Sequence, residues 1–149
     1  MKYIKAMAGA NNSVVYEIDD GRSYLWSGGT RAWRNNNPGN IRGGDFANRR
    51  GAIGTAGGFA IFPNYETGFT ALIALLCTST YQQLTMEQAI NRYAPPIENN
   101  TGAYVTAVEK QIGVSRTTPM SQLSENNLRD FAKAIEKHEG YKEGNISLR

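Results

Sequence analysis

Glu139 closes a helix-like segment and is the first candidate for acid–base chemistry. In "SENNLRDFAKAIEKHEGY" the apolar residues have the spacing of a core-facing helical stripe: Leu128, Phe131, Ala132 and Ile135. One further step of four reaches Glu139, directly before Gly140. Burial and the negative pole of the helix dipole would both favour a protonated carboxyl group there. Such an acid can protonate a leaving glycosidic oxygen near neutral pH. The pattern leaves a second interpretation open, in which Glu139 lies in a solvated last turn.

Glu98 is the second acidic candidate, in "RYAPPIENNTGAYV". It follows the Pro95-Pro96 break and precedes a helix-like segment. Acidic, Asn and Thr residues favour helix N-termini, so capping is one interpretation. The other is a carboxylate or substrate-positioning group in a cleft. Tyr93 and Tyr104 flank this loop, and their spacing alone favours positions in the core or at the rim. Aromatic rings beside a polar loop also suit the apolar faces of sugars.

An asparagine-rich loop, "RNNNPGNIRGG", contains the third set of candidates. Pro38-Gly39 predicts a turn, with Gly39 supplying the positive φ of a type II turn. The side chains of Asn37 and Asn40 have two open roles. They can satisfy their own backbone in Asx-turns, or present amides to a ligand's hydroxyl and N-acetyl groups.

The elements that must position these residues are a small β region and several helices. Residues 1–29 read as β structure, with a hairpin centred on Asp20-Gly21. Residues 30–64 form a Gly- and Asn-rich substrate loop region containing one short strand-like piece, "GGFAIF". Residues 65–140 read as a helical bundle. We expect a single domain, 1–149, of the α+β class and mainly helical.

Helix boundaries can be predicted from capping residues. Thr85 is the expected N-cap of the helix in "TMEQAINRYA", which Pro95-Pro96 ends. Gly113 is the expected stop of the next helix, and Ser124 or Asn126 the cap of the last.

Composition limits the function classes. The net charge is +3, and the basic residues are scattered, so we expect no nucleic-acid partner. One histidine, His138, and one cysteine, Cys77, offer no cluster for a metal, and we expect neither metal nor cofactor. Cys77 lies in an apolar run and is predicted to be buried, without a disulfide. We expect no membrane insertion and no Sec signal peptide, because "MKYIKAMAGANNS" lacks an apolar core.

Three segments together carry a resemblance to known proteins: "WRNNNPGNIR", "GGFAIFPNYETGFTAL" and "AINRYAPPIENNTGAYVTAV". In this order they resemble peptidoglycan-degrading modules of phage virion proteins and of type VI secretion effectors. These modules resemble the lysozyme-like superfamily, which includes goose-type lysozymes, flagellar muramidases and lytic transglycosylases. There the helix ending in the catalytic glutamate precedes the loop. Here "FAKAIEKHEGYKEG" resembles that helix but follows the loop, which implies a circularly permuted lysozyme-like fold.

The resemblance implies a peptidoglycan glycosidase that cleaves the β-1,4 bond between MurNAc and GlcNAc. It assigns Glu139 as general acid and Glu98 as the second carboxylate. Asn37, Asn40 and Tyr93 would orient the sugar, with Tyr104 beside them. If the permutation does not hold, Glu17 or Glu98 becomes the acid. Both hydrolysis and transglycosylation by the substrate's own 6-hydroxyl group remain open.

The same resemblance gives a biological setting. The expected partner is peptidoglycan, met in the periplasm or cell wall by a monomer. Delivery would use a secretion system, a phage particle or a holin-type route, and a cognate immunity protein would accompany a secreted antibacterial toxin. The alternative function is a non-catalytic module that binds cell wall or builds a phage or secretion apparatus.

Overall fold

The computed structural model describes residues 2–94 and 100–149. Glu98, the expected second carboxylate, lies outside these ranges. The described residues form the following elements: β1 (Tyr3–Gly9), β2 (Ser13–Ile18), β3 (Ser23–Ser27), α1 (Arg31–Arg34), α2 (Asp45–Arg49), β4 (Gly54–Ala56), β5 (Phe59–Ile61), α3 (Tyr65–Leu76), α4 (Ser79–Gln82), α5 (Met86–Tyr93), α6 (Thr101–Ile112), α7 (Glu125–Glu139) and β6 (Asn145–Leu148). The chain is therefore of the α+β class, as predicted.

The main sheet is antiparallel, with strand order β1-β2-β3-β6. The hairpin predicted at Asp20-Gly21 is confirmed: it joins β2 to β3, and Gly21 has a φ of +90°. Glycine adopts this left-handed conformation without steric cost, so the two strands can turn tightly here. A second sheet consists of β4 and β5, which meet in the register Gly54↔Ile61.

The last strand, β6, was not predicted. It pairs with β3 in the register Ser27↔Asn145 to Tyr24↔Leu148. All four of its residues are exposed, so the segment has no buried alternation by which a sequence pattern reveals a strand. The strand forms because the backbone groups at the edge of β3 form hydrogen bonds with those of β6.

Contacts within the chain group it into two compact units. The first comprises Met1–Leu72 together with Glu139–Arg149, and the second comprises Ile73–His138. The predicted helical region, residues 65–140, is thus divided between the units. Asn40 and Glu139 belong to the first, whereas Tyr93 and Tyr104 belong to the second.

One buried apolar cluster of the first unit lies on one face of the main sheet. Ala6, Val14, Tyr16 and Ile61 form a buried cluster, against which the partly buried Trp26 packs. Ala6 lies opposite Tyr16, and Val14 lies opposite Trp26. These cross-strand neighbours point to the same face, so the sheet presents a continuous apolar surface.

The second unit contains the capped helices that the sequence predicts. Thr85 forms a capping box with Gln88 at the start of α5. Gly113 ends α6 with a φ of +70°, and the Ser124 hydroxyl accepts a hydrogen bond from the Asn127 amide at the start of α7. The buried stripe of α7 is confirmed at Phe131, Ala132 and Ile135, although Leu128 is only half-buried.

The burial predicted for Cys77 is wrong, since its thiol is exposed. Helix α3 ends one residue earlier, at Leu76, and a turn follows in which the Cys77 amide bonds back to the Ile73 carbonyl. The apolar run continues in sequence, but the turn leads Cys77 to the surface. Within the described residues, none of the helices combines the length and apolar character needed to cross a membrane.

Candidate active site at Glu139 and Asn40

The asparagine-rich loop begins with a short helix rather than an open coil. Thr30 caps α1, with its hydroxyl accepting a hydrogen bond from the Trp33 amide. The three residues that follow, Asn35, Asn36 and Asn37, are 1%, 3% and 0% exposed. Because a buried amide is costly without partners, these side chains must be hydrogen-bonded within the protein.

Asn37 illustrates this use of a side chain most fully. Its Nδ2 donates to the carbonyl oxygens of Ile41 and Ala60, each at 2.9 Å, and its Oδ1 accepts from the Ile41 amide at 2.9 Å. These three bonds employ both ends of the amide. In this structure Asn37 holds the loop against β5 and has no exposed surface, and its expected contact with substrate stays a prediction.

Asn35 and Asn36 have similar structural roles. The Asn35 Nδ2 donates to the Ala60 carbonyl at 3.3 Å, and the Asn36 Nδ2 donates to the Tyr16 hydroxyl at 3.3 Å. That hydroxyl in turn donates to the Arg34 carbonyl. Burial raises the pKa of Tyr16 well above its usual range, so the group remains protonated and can keep donating.

The predicted turn at Pro38-Gly39 forms, but it is not of type II. The Asn40 amide donates to the Asn37 carbonyl at 3.0 Å, which closes the turn. The positive φ falls on Asn40, at +47°, and not on Gly39. Asparagine tolerates this left-handed conformation better than most residues. The turn is therefore followed directly by a residue, Asn40, with a left-handed backbone conformation.

Asn40 contacts the carboxylate predicted to act as an acid. Its Nδ2 donates to Glu139 Oε2 at 3.0 Å, across 99 positions of sequence. The Asn40 Oδ1 is buried and has no hydrogen-bond partner among the described residues. Since most buried polar atoms are paired, an unpaired acceptor beside a carboxyl group suits a ligand's hydroxyl or amide donor.

Glu139 reaches Asn40 because the chain after α7 is fastened to the start of the loop. The Thr30 amide donates to the Lys142 carbonyl, and the Lys142 amide donates to the Thr30 hydroxyl, each at 3.0 Å. A Cβ added at either Gly29 or Gly144 would lie 2.7 Å from the other's backbone nitrogen. The two segments thus approach more closely than side chains would permit.

The helix end itself also fixes the carboxylate. Glu139 is the last residue of α7 and is half-buried, and Gly140 ends the helix with a φ of +87°. Residues after this turn lead to β6, and its pairing with β3 anchors them. Helix α7 before Glu139 and the paired strand β6 after it therefore fix the position of this residue, and part of it remains exposed.

Two arginines give the neighbouring surface a positive charge. The guanidinium carbons of Arg31 and Arg42 lie 4.2 and 4.4 Å from the centroid of the Phe59 ring. Among the described residues, neither arginine forms a salt bridge. Arg34, in the same unit, has its pKa lowered by burial and by the charge of Arg31. This uncompensated charge favours anionic partners.

The remaining predicted residues have local contacts of their own. The Tyr93 ring, at the end of α5, lies 6.2 Å from that of Tyr81. Tyr104 is 7% exposed and stacks on His138, with ring centroids 3.9 Å apart. Glu17, the alternative acid, is half-buried in β2 opposite Lys5.

Sequence reasoning missed two residues near this site, Tyr65 and Tyr141. Their rings are 5.5 Å apart and nearly perpendicular. Tyr141 follows Glu139 by two residues, which was the available signal. Among the residues that the structure describes, no three His, Cys, Asp or Glu side chains come together as metal ligands.

No protein-family model matches the chain, and no curated protein matches it significantly.

Proposed function

We propose that the protein is a peptidoglycan glycosidase that cleaves the β-1,4 bond between MurNAc and GlcNAc, with Glu139 as general acid. The observation that carries the proposal is the 3.0 Å hydrogen bond between Asn40 and Glu139. The sequence resemblance assigns a role in this chemistry to each of the two residues, which lie 99 positions apart in the chain. A loop amide paired with a helix-terminal carboxyl group is a suitable arrangement for donating a proton to a bound glycan.

The proposed mechanism uses the two oxygens of the carboxyl group differently. Asn40 Nδ2 donates to Oε2, so this oxygen serves as an acceptor and Oε1 is the oxygen that delivers the proton in the proposed step. Glu139 passes that proton to the glycosidic oxygen as the bond from C1 to this oxygen breaks, through an oxocarbenium-like transition state. The electron pair of the broken bond stays with the leaving oxygen, which becomes a hydroxyl group.

The sugar cation is then captured by an oxygen nucleophile. Water gives a hydrolysed product, whereas the substrate's own 6-hydroxyl group gives an anhydro sugar. Glu98 is proposed to activate the nucleophile in the first case and is not needed in the second. Asn40 Oδ1, which is buried without a partner among the described residues, is proposed to accept a hydrogen bond from the sugar's N-acetyl group.

The decisive test replaces the acid without changing its shape. We expect Glu139→Gln to reduce solubilisation of purified peptidoglycan by about 100-fold or more, because general acid catalysis contributes roughly 10²–10⁴-fold. Asn40→Ala should reduce it by about 10- to 100-fold, since the hydrogen bond from Asn40 to the carboxylate that forms as the proton leaves contributes about 1.5–3 kcal/mol. Turbidity loss of a wall suspension measures both.

Glu143→Gln is the matched control, because it removes the same charge from an exposed residue four positions later. It should clear peptidoglycan at the wild-type rate. Equal clearing by Glu139→Gln and wild type would remove Glu139 as the acid. Binding of peptidoglycan without clearing, even by wild type, would indicate the non-catalytic module instead. Mass spectrometry of the released fragments distinguishes hydrolysed from anhydro products.

A further inference from the structure

A pocket of about 370 Å³ opens in the first unit, among aromatic residues that the proposed catalytic step does not use. Its walls include Lys2, Tyr3, Trp26, Asn64, Tyr65 and Tyr141. Ligand pockets in proteins have volumes of about 300–1,000 Å³, so this one is at the small end of the range. It suits a single ring with its substituents better than an extended polymer segment.

The rings of Tyr3 and Trp26 are held firmly in place. Their planes are 77° apart, and Trp26 Nε1 donates to the Tyr3 hydroxyl at 3.1 Å. Behind them, Tyr3 stacks on the buried Tyr16 and Trp26 packs against Trp33, with ring centroids 4.5 and 4.7 Å apart. The wall is therefore formed before any ligand arrives, which lowers the entropic cost of binding.

A second ring pair lies at the pocket, formed by Tyr65 and Tyr141. The two rings meet edge to face at 70°, and Tyr65 also stacks on Phe69 with ring centroids 5.8 Å apart. All four pocket rings are half-buried, so each retains some exposed aromatic surface. Aromatic surfaces of this kind pack against the C–H faces of sugar rings.

Polar groups accompany the rings. Asn64 uses its Oδ1 to accept a hydrogen bond from the Thr67 amide at 2.8 Å, and its Nδ2 remains a donor. The Tyr3 hydroxyl accepts from Trp26 and keeps its own proton to donate. Lys2 adds an exposed ammonium group that no other described residue pairs in a salt bridge. A ligand here must therefore accept hydrogen bonds.

These features discriminate between ligand classes. An aromatic pocket can also enclose a cation, but the positive charge of Lys2 opposes that occupant. A purely apolar ligand would leave the donors of Tyr3, Asn64 and Lys2 without acceptors. A pyranose ring offers both an apolar face for the aromatic rings and oxygens for the donors.

We infer that this pocket binds a pyranose ring of the glycan, specifically an N-acetylated hexose, as a binding subsite separate from the carboxyl group that donates the proton. Tyr141 links the two, because it lies on the pocket two residues after Glu139. The choice of an N-acetylated hexose rests on the proposed function, whereas the choice of a sugar rests on the pocket itself. The subsite contributes to glycan affinity and not to bond cleavage.

The test uses tri-N-acetylchitotriose, an uncharged oligomer of N-acetylglucosamine, as the probe. Isothermal titration calorimetry should show binding to wild type that Tyr141→Leu weakens at least tenfold. Phe46→Leu is the matched control, since Phe46 is also a half-buried aromatic residue of the first unit but does not line the pocket. Circular dichroism spectra and unfolding midpoints of both variants verify that they are folded.

Tryptophan fluorescence localises the sugar independently. The chain has two tryptophans, of which Trp26 lines the pocket and Trp33 is 6% exposed. Titration should change the emission of wild type, and Trp26→Phe should abolish that change. Equal affinity of Tyr141→Leu and Phe46→Leu, or an unchanged fluorescence response in Trp26→Phe, would overturn the inference. So would competition by tetramethylammonium, which would assign the pocket to cations.

The pocket and the proposed acid can fail separately. Glu139→Gln should bind the trisaccharide like wild type, because the subsite does not include the carboxyl group. If Glu139→Gln clears peptidoglycan normally while Tyr141→Leu loses sugar binding, the subsite stands and the assignment of the acid falls. If Glu139→Gln loses clearing but Tyr141→Leu binds the sugar normally, the acid stands and the subsite is refuted.

Discussion

Replacing Asn37 with aspartate tests whether this side chain holds the loop or faces the substrate. Aspartate has nearly the same shape, but its carboxylate cannot donate. In the wild type, Asn37 Nδ2 lies 2.9 Å from the carbonyl oxygens of both Ile41 and Ala60. In Asn37→Asp, a carboxylate oxygen would take the place of Nδ2 and face these two carbonyl oxygens. The substitution therefore removes two bonds and adds repulsion without leaving a cavity.

The expected loss of stability follows from the partners left behind. A buried acceptor without a donor costs about 1–3 kcal/mol, which applies fully to the Ile41 carbonyl. The Ala60 carbonyl retains a longer bond from Asn35, at 3.3 Å, so its loss is about 1 kcal/mol. The sum is about 2–4 kcal/mol, a large part of the 5–15 kcal/mol that stabilises a typical domain.

The loss of stability in Asn37→Asp should also depend on pH. Burial beside two carbonyl oxygens would raise the folded-state pKa of an aspartate at position 37 above its unfolded value. Protonated aspartate can donate to one carbonyl, so the variant is relatively more stable below the unfolded pKa. This extra stability of the variant is lost as pH rises through the folded pKa. The free energy of unfolding of Asn37→Asp should therefore fall further below that of wild type at pH 7 than at pH 4.

Urea unfolding followed by circular dichroism measures these differences. Asn48→Asp, an exposed residue of α2, is the matched control and should change stability by less than about 0.5 kcal/mol. Equal stability of Asn37→Asp and Asn48→Asp would refute the structural role. If peptidoglycan clearing were then lost in Asn37→Asp alone, the original expectation of a substrate contact would be restored.

Two further predictions concern stability. A Cβ at Gly68 in α3 would collide with the Asn36 carbonyl oxygen, whereas a Cβ at Gly102 in α6 meets nothing within 4 Å. Gly68→Ala should therefore lower the free energy of unfolding by about 1–3 kcal/mol, and Gly102→Ala should raise it by up to about 1 kcal/mol, as urea unfolding would reveal; equal effects would contradict this. Hydrogen bonds from Arg116 lower the pKa of Glu109, so its contribution is present above the ordinary value of 4.5 and is lost as pH falls through the folded pKa. Thermal unfolding of Glu109→Gln should approach that of wild type at acid pH, and a pH-independent difference would refute the coupling.

Local patterns in the sequence were sufficient for the elements that depend on nearby residues. The hairpin at Asp20-Gly21, the cap at Thr85 and the stop at Gly113 each follow from the conformational preference of one or two residues. The stripe of α7 follows from its helical period, and it leads to Glu139 without any tertiary information.

The sequence could not separate Asn37 from Asn40. Both are asparagines at the two ends of the same turn, and each can hold its own loop or face a ligand. Burial against β5 gives Asn37 a structural role, because Ile41 and Ala60 supply partners for its whole amide. Asn40 instead donates to a residue 99 positions away, a pairing that depends on how the chain folds back.

Only the tertiary structure assembled the site and the aromatic pocket. Strand β6 has exposed residues and no periodic pattern, yet its pairing with β3 anchors the segment after Glu139 beside the loop. Tyr3, Trp26 and Tyr141 come from distant parts of the chain and meet around one pocket. Residue types and spacing therefore determined which groups could perform the chemistry. Long-range strand pairing and burial determined which of them meet, because these depend on contacts between segments that a local pattern does not contain.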